Sequence, residues 1–309
     1  MNDMRKNISV DTIKDFINTI PSFARYKVEE VEGGISTDIF KLVDEKSELF
    51  LRIAPDGENM STEALIHTLA LEVGVSVPEC IYYEDFNKQL GTSFMITSKM
   101  QGMPVNSSTK NRNQIIMSAG EDLARLHSIT VKGFGWFDVK TLNSTELVGS
   151  FDSYSQFVFE GIDIIDRLLF LKEEKILSTA LCDSVESFLL QNKDKLILKE
   201  AVLTHSDLSN EHIFSDDGLY SGLIDFGDAS AMSRYYDLAK YSLNEPEDYP
   251  YLIEGYAKVE FLPDNYEDYI KLESTILIIR TLFWKAKNVP HLLKSNLHYF
   301  KFLSDNFES

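Results

Sequence analysis

Residues 201–230, AVLTHSDLSNEHIFSDDGLYSGLIDFGDAS, restrict the possible folds more than any other stretch of this chain. Asp207 follows the apolar run Ala201-Val202-Leu203, and Asp225 follows Leu223-Ile224, 18 residues later. Between them the pattern reads as a hairpin turning at Asp216-Asp217-Gly218. A chain folded back in this way carries both carboxylates to one end of a small sheet. Two convergent carboxylates and a third polar group suit Mg²⁺, which takes oxygen ligands and keeps several waters. They also suit removal of a proton from a hydroxyl beside a metal. The same residues read equally as a polar hairpin rich in turn-forming Asp and Ser.

Around this segment the hydrophobic period changes from strand-like to helical. Residues 9–20 have helical spacing and stop at Pro21. From Tyr26 to Ile53, short β-like runs (DIFKLVD, ELFLRIA) alternate with turn residues, as in an antiparallel meander. A helix is predicted over 61–73 with Ser61 as its N-cap. Two more strands follow, around Cys80–Tyr83 and from Ser93 (SFMITSKM). Gly102 and Pro104 then break the pattern. Beyond them helices dominate, over 113–129, 153–171, 176–192 and from Arg234 onward. The expected fold class is α+β, with a small β-rich N-terminal lobe (1–97), a hinge (98–102) and a larger, mainly helical lobe (103–309).

Composition narrows the function classes. There are 30 Lys+Arg against 49 Asp+Glu, a formal net charge of -19. That balance argues against a non-specific nucleic-acid binder or an anionic-membrane binder, since both need basic surfaces. It is compatible with a cationic ligand. Cys80 and Cys182 have no zinc spacing and are too few for a disulfide framework. The N-terminus has no signal-peptide pattern, and no apolar run is long enough to span a bilayer. The expectation is a soluble, cytoplasmic monomer.

HSDLSNEH (205–212) followed by LIDFGDA (223–229) resembles the paired signature of the aminoglycoside phosphotransferase family, small-molecule antibiotic kinases with a protein-kinase-like bilobal fold. Its usual pattern is His-Gly-Asp, four residues, Asn, and later Ile-Asp-(Phe/Trp)-(Gly/Ser). LARLHSI, GFGW (133–136) and YDLA (236–239) resemble further family features. The resemblance implies that Asp207 orients or deprotonates the substrate hydroxyl, and that Asp225 binds the Mg²⁺ bridging the nucleotide phosphates. His205 would hold the catalytic loop, and Asp237 would anchor it from the next helix. Where the family has its metal-binding Asn, this chain has His212; Asn210 is the alternative ligand. Asp228 reads as a loop-surface acid.

In the N-terminal lobe, Gly33-Gly34-Ile35-Ser36-Thr37 between strands offers backbone N–H groups and Ser36 to phosphates. The strand residue matching the family's nucleotide Lys is Arg52, with Glu63 on the next helix as its partner and Lys41 as a substitute. By resemblance, the carbonyl of Ser98 and the N–H of Met100 meet the base of ATP or GTP.

Residues 150–309 hold 28 of the 49 acidic residues and 15 of the 30 basic ones. The acidity is therefore concentrated in the half expected to hold the acceptor. Asp163, Asp166, Glu245 and Tyr235 are the leading contact candidates, with Asp152, Glu160, Asp248, Glu247, Glu273 and Tyr236 behind them; Phe283 and Trp284 read rather as core. These observations favour transfer of a nucleotide γ-phosphate to a hydroxyl of an aminoglycoside-type antibiotic, conferring resistance. The rival readings are a kinase of a macrolide, choline or a sugar metabolite, and a catalytically impaired nucleotide-binding module.

Overall fold

The computed structural model describes residues 8–31, 37–55, 58–137 and 146–308. Helix α1 (Val10–Asn18) begins at Ser9, whose Oγ accepts a hydrogen bond from the Thr12 amide and so satisfies a helix-end donor. Its buried face is Ile13, Phe16 and Ile17. The next five strands are β1 (Lys27–Glu30), β2 (Asp38–Val43), β3 (Glu48–Ile53), β4 (Cys80–Asn87) and β5 (Thr92–Ser98). They form one antiparallel sheet in the order β1-β2-β3-β5-β4. Strand alternation divides the faces. Phe40, Leu42, Leu49, Leu51, Ile53, Phe94 and Ile96 pack with α1 in one cluster, leaving Phe50 and Arg52 on the opposite face of β3.

Helix α2 (Ser61–Glu72) lies between β3 and β4 in the chain. Ser61 was expected to cap it but is instead its first helical residue, with Met60 at the cap. The reason is local: Asn59 Oδ1 accepts from the Ser61 amide at 2.7 Å, and Ser93 Oγ accepts from the Met60 amide at 2.9 Å. Two neighbouring side chains thus satisfy the donors that a Ser61 cap would have served.

After β6 (Met103–Pro104) come α3 (Arg112–Leu126), β7 (Thr130–Val131), β8 (Phe134–Phe137), β9 (Gly149–Phe151), α4 (Tyr154–Gln156), α5 (Ile164–Glu173) and α6 (Thr179–Gln191). The single helix expected over 153–171 is broken. A π turn occupies Phe157–Gly161, and Asp163 takes φ 54 just before α5. The candidate segment supplies β10 (Ala201–Thr204), β11 (Ile213–Asp216), β12 (Leu219–Leu223) and β13 (Ser230–Met232). The chain continues through α7 (Tyr235–Asn244), α8 (Tyr249–Ala257), α9 (Tyr266–Asn288) and α10 (Leu297–Phe307). Two sheets, β7-β10-β13-β8-β9 and β12-β11-β6, sit among these helices. Among the described residues no helix is long and apolar enough to cross a membrane.

The main core joins α3, α7 and α9. Helices α3 and α8 approach so closely that a Cβ on Gly255 would lie 1.9 Å from the Met117 carbonyl oxygen. At the junction of the two parts, Gly102 has φ 82, and a Cβ there would lie 1.9 Å from the Ser215 carbonyl oxygen. Only glycine fits this backbone and this approach. Ser76 stitches the parts together: its amide donates to Asp122 Oδ2 at 2.8 Å, and its carbonyl accepts from the Leu223 amide at 2.8 Å. The β11–β12 hairpin is thereby held against the segment that joins α2 to β4.

Candidate active site

Strand β10 is wholly buried and delivers His205-Ser206-Asp207 at its end. Ser206 takes φ 65, a left-handed conformation that favours glycine, at the position where the family pattern has Gly. Asp237, in the first turn of α7, holds it there. One carboxylate oxygen accepts from the Ser206 amide at 2.7 Å; the other accepts from the His205 amide at 2.8 Å and His127 Nε2 at 3.0 Å. Burial pushes the Asp237 carboxyl up, but His127 and the other donors outweigh it and leave the group below its ordinary value. Ser206 Oγ also joins Thr204 Oγ1 and Ser230 Oγ in a buried hydroxyl network. The loop conformation is thus fixed from three sides.

His205 is fully buried. Its Nε2–H donates to the Ile224 carbonyl at 2.9 Å, and its Nδ1 accepts from the Asp207 amide at 3.3 Å. It ties the Asp207 loop to the Asp225 loop as a neutral ring, and burial lowers its pKa accordingly. The half-buried Asp207 carboxylate meets a side chain that the sequence reading did not single out. Lys240 Nζ donates to Asp207 Oδ1 at 2.5 Å and to the Ser206 carbonyl at 2.9 Å. Burial disfavours the ammonium, but Asp207 beside it prevails and raises its pKa. Lys240 lies three residues beyond Asp237, on the same helix face, and that spacing was the available signal.

Asp225 has φ 66 and a largely exposed carboxylate. His212 Nδ1 donates to the Asp207 carbonyl at 2.6 Å, which turns Nε2 toward Asp225 Oδ2 at 3.7 Å. A carbonyl can only accept, so Nδ1 carries a proton and Nε2 faces that gap. Asn210, the alternative ligand, is occupied elsewhere: its Nδ2 donates to Glu245 Oε2 and Asp248 Oδ2, both at 2.7 Å, and its Oδ1 accepts from Tyr241. Among the described residues no cluster of three or more His, Cys, Asp or Glu is arranged around a cation. Asp225 Oδ2 and His212 Nε2, 3.7 Å apart, are the two groups placed where a metal beside the phosphates could be held.

From the N-terminal sheet, Arg52 reaches both Glu63 on α2 and Asp225 Oδ1, the latter at 3.3 Å. Burial pushes the Glu63 carboxyl up, but Arg52 and His67 hold it below its ordinary value. Lys41, the possible substitute, is engaged with Glu48 at 2.5 Å. Phe226 packs edge-on to His67 of α2 and against His205, so α2 and the Asp207 loop rest on one ring. Ser98 closes β5, its amide donating to the Glu79 carbonyl at 2.9 Å. Met100 places its side chain over Gly222. Ser36 lies outside the described residues.

The acceptor candidates are placed differently from expectation. Asp163 and Asp166 are exposed at the start of α5. Glu245 holds Asn210, and Asp248 is clamped by both Asn210 and Arg112. Glu273 is buried and accepts from Tyr154 at 2.7 Å. Tyr235 is buried and stacks on Tyr269 of α9 at 4.7 Å. None of these shares a hydrogen bond or ion pair with Asp207. It is Tyr236 that meets a charged group, accepting from Arg280 Nη1 at 2.9 Å. Asp228 reaches solvent, yet surrounding groups desolvate it; that burial, then Asp207, raises its pKa. Sequence patterning treats exposed and buried acids alike, which is why these placements were not separable beforehand.

A small β-rich lobe facing a helical lobe, with Asp207, Asp225, His212 and Arg52–Glu63 gathered between them, defines a kinase-like phosphotransferase. The chain belongs to the phosphotransferase enzyme family (APH), whose profile matches residues 27–269. It is 24% identical over 218 residues to an aminoglycoside 3'-phosphotransferase of Enterococcus faecalis, covering 69% of this chain and 77% of the relative. It superposes with TM-score 0.71 and 12% identity on a thermostable mutant of aminoglycoside phosphotransferase APH(4)-Ia in ternary complex with AMP-PNP and hygromycin B, covering 96% of this chain and 100% of the other. It superposes with TM-score 0.59 and 15% identity on the apoenzyme of macrolide 2'-phosphotransferase MphH from Brachybacterium faecium, covering 95% and 97%.

Proposed function

We propose that this enzyme transfers the γ-phosphoryl group of ATP or GTP to a hydroxyl of a small molecule. Residues 1–97 bind the nucleotide, 98–102 form the hinge, and 103–309 carry the catalytic and acceptor groups. The observation that carries this reading is the convergence of Asp207, His212, Asp225 and the Arg52–Glu63 pair in one cleft. The acceptor oxygen bonds to the γ-phosphorus as the bond to the leaving nucleoside diphosphate breaks. The hydroxyl proton passes to Asp207, whose Oδ1 is held by Lys240. Arg52 binds phosphate oxygens, and the Ser98 carbonyl and Met100 N–H meet the base. Asp225 and His212 would hold Mg²⁺, which when bound neutralises phosphate charge.

An aminoglycoside acceptor, and hence antibiotic resistance, is supported by the family and by the Enterococcus faecalis relative. The reading takes the enzyme as a cytoplasmic monomer. The test is product mass after incubation with ATP or GTP, Mg²⁺ and a panel of aminoglycosides, macrolides, choline and sugars. Wild type yields a phosphorylated product; Asp207→Asn yields none while still binding nucleotide. Nucleotide binding with no product from any acceptor would replace this reading with that of a nucleotide-binding module.

A further inference from the structure

The Asp207 loop joins two sheets, and only one of them meets the hinge. In sheet β12-β11-β6, the Ser215 carbonyl of β11 backs Gly102, and the Met100 side chain covers Gly222 of β12. The other sheet, β7-β10-β13-β8-β9, lies on the far side of the loop, which leaves β10 after Thr204 and enters β11 at Ile213. Backbone pairing continues the path away from the hinge. Ser206 Oγ hydrogen-bonds Ser230 Oγ at the start of β13, and Ala231 of β13 pairs with Gly135 of β8. Trp136 is the next residue of β8. Strand β8 stands two strands from β10, about 10 Å. Trp136 therefore lies beside the catalytic loop, on the side opposite the hinge.

The local backbone turns this residue out of the sheet. Gly135 takes φ 86, and the β8–β9 register shifts between Phe134 and Phe137. A Cβ on Gly135 would lie 2.6 Å from the Phe157 ring, so only glycine fits. Such bulges recur beside active sites, where they re-aim a side chain. The Trp136 ring stands edge-on to Phe157 at 5.0 Å and to Phe151 at 6.4 Å, and the Arg280 guanidinium lies over it at 5.7 Å. Although pinned in this way, Trp136 is 41% exposed. An indole that is fixed yet open offers a large apolar surface without an ordering cost, and its electron-rich face attracts polarised C–H bonds. A sugar ring with equatorial substituents presents such C–H bonds on both faces.

We propose that Trp136 is the platform for a second ring of the acceptor. The ring carrying the reacting hydroxyl sits at Asp207, and a glycosidically linked sugar lays its C–H face on the open part of the indole. Two strand spacings are more than a single sugar ring spans, so a one-ring acceptor at Asp207 does not reach Trp136. Trp136 thus selects acceptors of two or more rings, through binding and not through the reacting atoms. This inference rests on the phosphotransfer reading for the position of the reacting hydroxyl, but its test does not require turnover.

The chain has only two tryptophans, so Trp284→Phe leaves Trp136 as the sole indole reporter. That enzyme, with and without ADP, is titrated with kanamycin, hygromycin B, erythromycin and single-ring 2-deoxystreptamine. At least one multi-ring probe is expected to bind and shift the Trp136 emission, while 2-deoxystreptamine leaves the emission unchanged. In the otherwise native enzyme, followed by calorimetry, Trp136→Ala should weaken that probe about tenfold and leave ADP affinity within about twofold. Trp136→Phe keeps a ring against Phe157 and should recover most of the loss. The emission titration needs no change at Trp136, so it decides even where Trp136→Ala fails to fold. No emission shift with any multi-ring probe, an unchanged affinity in Trp136→Ala, or an equal loss for ADP each overturns the proposal. Phosphate transfer to a multi-ring probe that Trp136→Ala leaves unaltered overturns this inference and leaves the phosphotransfer reading standing. Trp136-dependent binding with no transfer to any probe supports the platform and counts against the phosphotransfer reading alone.

Discussion

Removing the Asp237 carboxylate should destabilise the protein and the catalytic loop together. The side chain is fully buried and receives three hydrogen bonds, from the His205 amide, the Ser206 amide and His127 Nε2. In Asp237→Ala two backbone donors and an imidazole donor lose their acceptor inside the core. Hydrogen bonds to a charged group contribute about 1.5–3 kcal/mol each, but they are not additive, and breaking a buried charged partner costs about 3–5 kcal/mol. The expected loss is therefore about 4 kcal/mol by urea unfolding followed on Trp136 and Trp284. Asn does not rescue it, because its NH₂ must face one of the three donors. Ser206 at φ 65 is then free to relax, and Asp207 moves with it. A displacement near 1 Å at a reacting group costs about 100-fold in turnover. The acid side has a definite sign. The folded pKa of Asp237 is depressed, so its contribution is present above the ordinary carboxylate value and disappears as pH falls through the folded value. The difference between wild type and Asp237→Ala should be flat from neutral pH to about 5 and shrink below about 4. A loss under about 1 kcal/mol at neutral pH would refute the account of this loop.

Two further perturbations test other parts of the site. Lys240→Met removes the ammonium that holds Asp207 Oδ1 and the Ser206 carbonyl, so kcat should fall about 100-fold with nucleotide affinity nearly unchanged; a Lys240→Arg enzyme should recover part of the rate, and equal losses in both would show that Lys240 only fills space. Glu273 titrates at about 7 in the fold against 4.5 in its ordinary state, so its contribution favours folding below pH 4.5 and is lost as pH rises through 7. Glu273→Gln keeps an acceptor for Tyr154 and should raise stability at pH 8 by about 2–3 kcal/mol while changing little at pH 4.5; an unchanged pH slope would sink the argument.

What the chain discloses by itself follows the range of each interaction. The hairpin was legible because its turn is made locally: Asp217 and Gly218 take φ 44 and 78, and the residues on either side pair directly. Asp207 and Asp225 follow from it, since a hairpin returns its two ends to one place. The Arg52–Glu63 pairing was also legible, because one strand and the next helix suffice to bring them together. The contact between Tyr236 and Arg280 was not, since it depends on how α9 crosses α7. Tyr235 and Tyr236 were both pocket candidates from the sequence, but adjacent helical residues point about 100° apart. That rotation sends Tyr235 into the stack with Tyr269 and Tyr236 to Arg280. Lys240 was discoverable from its spacing to Asp237, but only once the anchoring role of Asp237 gave that helix face a meaning.

The net charge of -19 invites a cationic partner, yet charge counted over half a chain averages surfaces that do not communicate. At physiological ionic strength exposed charges lose most of their influence beyond about 8 Å. Asp163 and Asp166 stand in solvent, and Glu245 and Asp248 are consumed by Asn210 and Arg112. What an incoming molecule meets at the reaction centre is the Asp207–Lys240 pair and Asp228. A phosphotransferase needs cations there in any case, because the donor brings several negative charges into the cleft. Arg52 and Lys240 supply two, each tied to a carboxylate. Charge at the reacting atoms is set by these pairs, and acidity elsewhere on the surface does not alter it.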